Sequence, residues 1–159
     1  RDLGCCPSPF DSYLMTLGLE TLSLRVRHEV ESARRLAEYC RNHPKVERVS
    51  FVGFESHPSY ANAKKYFRFG SSAVFTIELK GTLDSTVRFV ESLNLAAHMV
   101  MIGDSVTVVT HPASTTHKQL SDADLAAAGV TPTMLRISVG LENTDDLIDD
   151  FEQAFAHIG

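Results

Sequence analysis

The chain has 159 residues, 43% of them hydrophobic and 22% charged, which is enough apolar side chain for one domain with a sizeable core. The formal net charge of −5, from 20 acidic against 15 basic residues, leaves no basic face for a nucleic-acid backbone, so nucleic acid is not an expected partner. No apolar run approaches the ~20 residues needed to cross a bilayer, and the three cysteines, with Cys5 and Cys6 adjacent, give neither a disulfide framework nor a metal spacing, so the chain reads as cytoplasmic with reduced thiols.

The first residues, Arg1-Asp2-Leu3-Gly4, carry no initiator methionine and read as the interior of a longer chain. After Pro7-Ser8-Pro9 a short segment over 10–17 is expected, with Gly18 as its break. Leu19, Leu22, Val26, Val30, Ala33, Ala37 and Cys40 then recur at steps of three and four, which predicts a long amphipathic helix. Arg25, Arg27, Glu29, Glu31, Arg34, Arg35 and Glu38 would occupy its solvated face. Asn42-His43-Pro44 ends it, because proline disfavours helix in the residue before it.

Val46 to Val52 is β-branched and short, Gly53 and His57-Pro58 read as a turn, and Ser59 to Phe69 is a helix candidate with Lys64 and Lys65 outward. Ser72 to Leu79 alternates, with Ala73, Phe75, Ile77 and Leu79 on one face, and is the clearest strand. Leu83, Val87, Val90 and Leu93 repeat at helical spacing. Val106 to Thr110 is a strand that Pro112 stops, since proline lacks the N–H a ladder needs. Ser121 caps a short alanine-rich helix closed by Gly129, and Met134 to Val139 is another strand. Asn143 or Thr144 caps the last helix, whose Leu147, Phe151, Phe155 and Ile158 form one stripe and whose Asp145 and Asp146 suit the positive end of the helix dipole. An initial helix followed by β-α-β-α-β-α-β-α implies an α/β domain, a sheet with helices packed on it.

Two segments bear chemistry. Arg136 interrupts the apolar run Met134-Leu135-x-Ile137-x-Val139, where a guanidinium is costly without a counterion. It reads either as a bidentate clamp for a carboxylate or as an arginine on the solvated face paired with an acidic neighbour. His111-Pro112-Ala113-Ser114-Thr115-Thr116-His117 supplies imidazoles and hydroxyls, suited to a ligand loop or to a polar loop that satisfies its own backbone. Asp104 reads as a turn residue, and Glu142 as part of the polar approach to the last helix. Lys64, Lys65, Lys80 and Lys118 sit in polar contexts, unlike a buried amine for Schiff-base work, and no glycine-rich phosphate loop appears.

At these same residues the chain resembles the C-terminal part of the pyridoxal-phosphate enzymes of cysteine and methionine metabolism. The resemblance runs nearly end to end, through Ser8-Pro9-Phe10, Gly18-Leu19-Glu20-Thr21-Leu22, His57-Pro58, Phe75-Thr76-Ile77-Glu78-Leu79-Lys80-Gly81 and the two segments above. Asn94-Leu95-Ala96, Ile102-Gly103-Asp104 and His111 to Gln119 are most similar to the O-acetylhomoserine sulfhydrylases within that group; cystathionine γ-synthase, cystathionine γ-lyase and a non-catalytic amino-acid-binding domain are the alternatives. The resemblance implies a small C-terminal domain of a fold-type I enzyme, with a mostly antiparallel or mixed four-stranded sheet. Residues 1–20 would be the end of the large cofactor domain or a linker, and 21–159 the C-terminal domain led by a helix over about 21–42.

It further implies pyridoxal 5'-phosphate as cofactor, held by a lysine upstream of this chain, so that the chain alone is expected to be inactive and to bind no cofactor. O-acetylhomoserine and sulfide would be the substrates, homocysteine and acetate the products, and the enzyme a cytoplasmic homotetramer. Arg136 matches the arginine that binds the substrate α-carboxylate, and Thr116 the threonine beside that site. Met101 stands where a small polar residue usually helps hold the substrate, which is a departure.

Overall fold

In the computed structural model, which describes residues 2–158, one five-stranded sheet has three helices packed against its apolar face. The strands are β1 (Val46–Ser50), β2 (Val74–Leu79), β3 (Ala97–His98), β4 (Val108–Thr110) and β5 (Met134–Ser138), ordered β1-β2-β5-β4-β3. Pairing is antiparallel except between β3 and β4, which run parallel. The fifth strand corrects the expected count of four. β3 has two residues and no alternation, so no pattern in the sequence marks it.

The helices are α1 (Pro9–Glu20), α2 (Leu22–Asn42), α3 (Tyr60–Tyr66), α4 (Leu83–Glu91), α5 (Asp122–Ala127) and α6 (Thr144–Ala156). Ser8 starts α1 through a reciprocal capping box with Asp11, and Pro9 suits the first turn because its missing N–H would have had no partner there. Gly18 does not break this helix, contrary to the sequence expectation; the chain bends at Thr21 (φ −104°, ψ 1°), and α2 begins one residue later. Asn143 caps α6 by accepting the Asp145 N–H at 2.8 Å, while Gly129 closes the α5 turn with φ 71°, a left-handed conformation open to glycine.

Phe75, Ile77 and Leu79 of β2, Leu135 and Ile137 of β5 and Val109 of β4 form the covered face of the sheet. Against it lie Ala33, Leu36, Ala37 and Cys40 of α2, Phe89 and Val90 of α4, and Leu147, Phe151 and Phe155 of α6. The aromatic rings interlock, Phe89 meeting Phe151 edge to face at 5.6 Å and Phe155 in a tilted arrangement at 4.7 Å. Each fully buried phenylalanine or leucine contributes on the order of 2–3 kcal/mol through removal of apolar surface from water.

Only the second half of α2 uses its stripe in this core. Leu19, Leu22, Leu24 and Val26 are exposed, and α1 has no buried residue. Glu29, expected on the solvated face, is instead 5% exposed. Burial raises its carboxyl pKa, with Arg25 and His28 partly opposing the shift.

Candidate functional site

Strand register fixes the centre of the site. Arg136 on β5 lies opposite Thr76 of β2 on one side and Thr110 of β4 on the other, on the face of the sheet away from the helical core. Flanking Leu135 and Ile137 point into the core and are fully buried, so alternation leaves Arg136 no other direction. Its Nη2 donates to Thr110 Oγ1 at 3.3 Å and to the Met101 carbonyl at 3.4 Å.

Among the described residues the guanidinium has no counterion, and no carboxylate lies within ion-pair range of it; the acid on the same sheet face, Glu78, pairs with Arg48 of β1 instead. Its Nε is buried with no hydrogen-bond partner. A part-buried cation is destabilising by itself, and an anion meeting the accessible end of the guanidinium relieves that cost. Of the two readings of Arg136, the ion pair with an acidic neighbour is not formed.

Met101 belongs to an exposed apolar loop with Met99, Val100 and Ile102, and the residue is 47% exposed while its carbonyl turns to Arg136. The structure therefore brings Met101 and Arg136 together through the backbone. Thr116 is exposed, and its hydroxyl bonds His117 Nδ1 at 2.8 Å; no hydrogen bond joins it to Arg136. The two stand apart as hydrogen-bonding groups in this structure.

His111 and His117 shape the loop between them. His111 is 1% exposed, and its Nε2 must donate to the Pro132 carbonyl at 2.9 Å, since a carbonyl only accepts. Nδ1 then accepts from the Ser114 hydroxyl at 2.8 Å. Thr115 Oγ1 donates to the His111 carbonyl at 2.6 Å, and the His117 N–H donates to the Pro112 carbonyl at 2.9 Å. The segment satisfies its own polar groups and ties the start of β5 to the end of β4. Asp104 likewise accepts the Val106 N–H at 3.4 Å within its own turn.

Several positioning residues escaped the sequence reading. Glu142 does more than lead into α6: its carboxylate accepts the Thr107 N–H at 2.6 Å and the Thr107 hydroxyl at 2.7 Å. Thr107 Oγ1 in turn accepts the Gly140 N–H at 2.9 Å, closing the end of the β4–β5 pair that leads to Arg136. Asp150 of α6 is buried and accepts the N–H groups of Asn94, Leu95 and Ala96 at 2.8, 3.0 and 3.0 Å, anchoring the entry to β3. One signal was available, since Asp150 falls within the stripe Leu147, Phe151, Phe155 at helical spacing. Nothing in spacing announces Thr110.

Pyridoxal phosphate requires a lysine for its carbonyl carbon and a cradle for its phosphate. Lys45 Nζ bonds the Phe155 carbonyl at 2.7 Å, and Lys80 Nζ the Pro44 carbonyl at 2.9 Å. Lys64 and Lys65 lie over the Tyr60 and Tyr66 rings at 5.9 and 5.2 Å, and Lys118 is exposed. None of these amines joins Arg136. The described residues do not form a cradle for the group by themselves, and no chemical step is assigned to it through them.

Comparison with known proteins gives a consistent picture. The homocysteine synthase of Schizosaccharomyces pombe is 46% identical over 154 residues, covering 97% of this chain and 36% of its own length. O-acetyl-L-homoserine sulfhydrylase 1 of Thermus thermophilus is 43% identical over 156 residues, covering 98% of this chain and 37% of its own. A crystal structure from Campylobacter jejuni, described as an O-acetylhomoserine (thiol)-lyase with N'-pyridoxyl-lysine-5'-monophosphate, superposes with a TM-score of 0.89 at 36% identity, over 98% of this chain and 37% of that one. The chain thus spans somewhat over a third of the length of the relatives it matches. The model of the Cys/Met metabolism PLP-dependent enzyme family matches residues 1–156, and the chain, with its α/β domain and pyridoxal phosphate as the family's cofactor, belongs to that family.

Proposed function

We propose that this chain is the C-terminal domain of a pyridoxal-phosphate-dependent O-acetylhomoserine sulfhydrylase, in which Arg136 holds the α-carboxylate of O-acetyl-L-homoserine. The observation that carries the reading is the guanidinium itself: held by β5, it meets neutral acceptors and no carboxylate among the described residues, with Nε buried and without a partner. A planar fork of this kind takes a carboxylate through two parallel N–H···O bonds, which fixes orientation as well as position. Thr116 would border the same carboxylate in the assembled enzyme, and Met101 would supply a backbone carbonyl and an apolar wall.

The cofactor, held by the rest of the enzyme, supplies the electron sink for loss of acetate and addition of sulfide. This chain's part is to orient the amino acid so that its reacting carbons face that cofactor. The unburied α1 and the bare first half of α2 fit a division in which 1–20 ends the large domain or links to it, and 21–159 forms the small domain. Among the described residues no helix is long and apolar enough to cross a membrane, and we assign the enzyme to the cytoplasm as a homo-oligomer.

The test is a steady-state assay of the full-length enzyme with O-acetylhomoserine and either sulfide or cysteine. Sulfide is expected to be the preferred nucleophile, with homocysteine and acetate formed in equal amounts. Preference for cysteine would assign the protein to the cystathionine-forming branch instead.

A further inference from the structure

Thr110 is 1% exposed, yet it carries a hydroxyl on the sheet face where Arg136 lies. Directly opposed residues on antiparallel strands put their Cβ atoms about 4.5–5.5 Å apart on the same face, so register alone brings this hydroxyl to the arginine. The Thr110 hydroxyl donates to the Met99 carbonyl at 2.6 Å. Its single proton is thereby committed, and its lone pairs remain for Arg136 Nη2 at 3.3 Å. The same Nη2 reaches the Met101 carbonyl at 3.4 Å. The hydroxyl and the 99–101 backbone thus hold Nη2 from two sides, with Nε buried and Nη1 beside it carrying the donors left for a ligand.

We propose that Thr110 is a positioning residue for substrate recognition: it fixes the rotation of the Arg136 guanidinium through a relay from the Met99 carbonyl, so that its Nη1/Nη2 end, rather than the buried Nε side, presents a preset edge to the α-carboxylate. The inference rests on the reading of Arg136 as the carboxylate clamp. An arginine free to turn must be ordered at each binding event, whereas a held one has already lost that freedom. Thr110 touches neither substrate nor cofactor in this role, and its effect is confined to binding.

The experiment uses the full-length holoenzyme and compares Thr110→Val, Thr110→Ser and Arg136→Lys in KM and kcat for O-acetylhomoserine at saturating sulfide, with thermal unfolding as the check on folding. Thr110→Val is expected to raise KM about five- to tenfold, in the range of one ordinary hydrogen bond, as befits a contact at 3.3 Å, with kcat within about twofold, while Thr110→Ser stays near the parent. In the double variant, Thr110→Val is expected to add little to Arg136→Lys, because the hydroxyl acts through the guanidinium. An unchanged KM for Thr110→Val beside a raised KM for Arg136→Lys would overturn the role of Thr110 and leave the clamp standing. An unchanged KM for Arg136→Lys would remove the clamp and this inference with it. If Thr110→Val fails to fold, Thr110→Ala takes its place, and full additivity with Arg136→Lys counts against the proposal.

Discussion

Glu142 grips Thr107 at two points, accepting both its backbone N–H, at 2.6 Å, and its hydroxyl, at 2.7 Å. Through the Gly140 N–H bonded to the same hydroxyl, this carboxylate holds together the segments that flank the strands bearing Thr110 and Arg136. Glu142→Ala strips the Thr107 groups of their acceptor, and unsatisfied groups of this kind cost about 1–3 kcal/mol. The expected result is a drop in denaturant midpoint with an unchanged m-value. A midpoint equal to the parent's would mean that water replaces the carboxylate at no cost.

Asp150 is expected to matter for the same physical reason. It accepts the N–H groups of Asn94, Leu95 and Ala96 from a buried position on α6. Asp150→Leu fits the apolar stripe of the helix but leaves those donors buried and unpaired, so destabilisation of roughly 2–4 kcal/mol is expected in thermal or urea unfolding. A neutral or stabilising Asp150→Leu would show that the Asn94–Ala96 turn is open to solvent.

His43 gives the domain a pH dependence. Its ring stacks on Phe155 at 3.9 Å, its Nδ1 accepts the Lys45 N–H at 3.3 Å, and burial lowers its pKa below the ordinary 6.5, with Glu152 opposing the shift and Lys45 adding to it. A histidine depressed in the folded state favours the fold in its neutral form. That contribution is complete above about pH 6.5 and is lost as pH falls from there through the folded value. Urea midpoints between pH 8 and pH 5 are expected to fall more steeply for the parent than for His43→Phe. Equal slopes would remove His43 as the source.

Glu29 has the opposite sign. Burial raises its pKa above 4.5, so the fold favours the protonated acid; the contribution is present below 4.5 and lost as pH rises through the folded value. At neutral pH the ionised carboxylate is a cost, partly offset by Arg25 and His28. Glu29→Gln is expected to unfold at a higher temperature than the parent at pH 7, with the gap narrowing towards pH 4. A lower unfolding temperature at pH 7 would show that Glu29 has an ionic partner in the folded chain.

Elements with a strong period were legible from the sequence. β2 shows its alternation and α6 its Leu147, Phe151, Phe155, Ile158 stripe, because burial on one face writes itself into every second or every third and fourth residue. β3 is too short to carry a period, and Gly18 is a residue whose helix cost α1 absorbs. The exposure of Leu22 and Val26 breaks the α2 pattern because that stretch lies beyond the core this chain builds. In the site, Arg136 was legible as an expensive residue in an apolar strand. Its lack of an acid partner was not, since only the register that pairs Glu78 with Arg48 decides it. Thr110, Glu142 and Asp150 act through backbone groups distant in sequence, and composition does not reveal such contacts.

The most direct measurement is the KM for O-acetylhomoserine of the full-length Arg136→Lys enzyme. A point charge replaces a bidentate fork, so KM is expected to rise about 10- to 100-fold while kcat changes far less. An unchanged KM with normal folding would contradict the assignment of Arg136 as the α-carboxylate clamp.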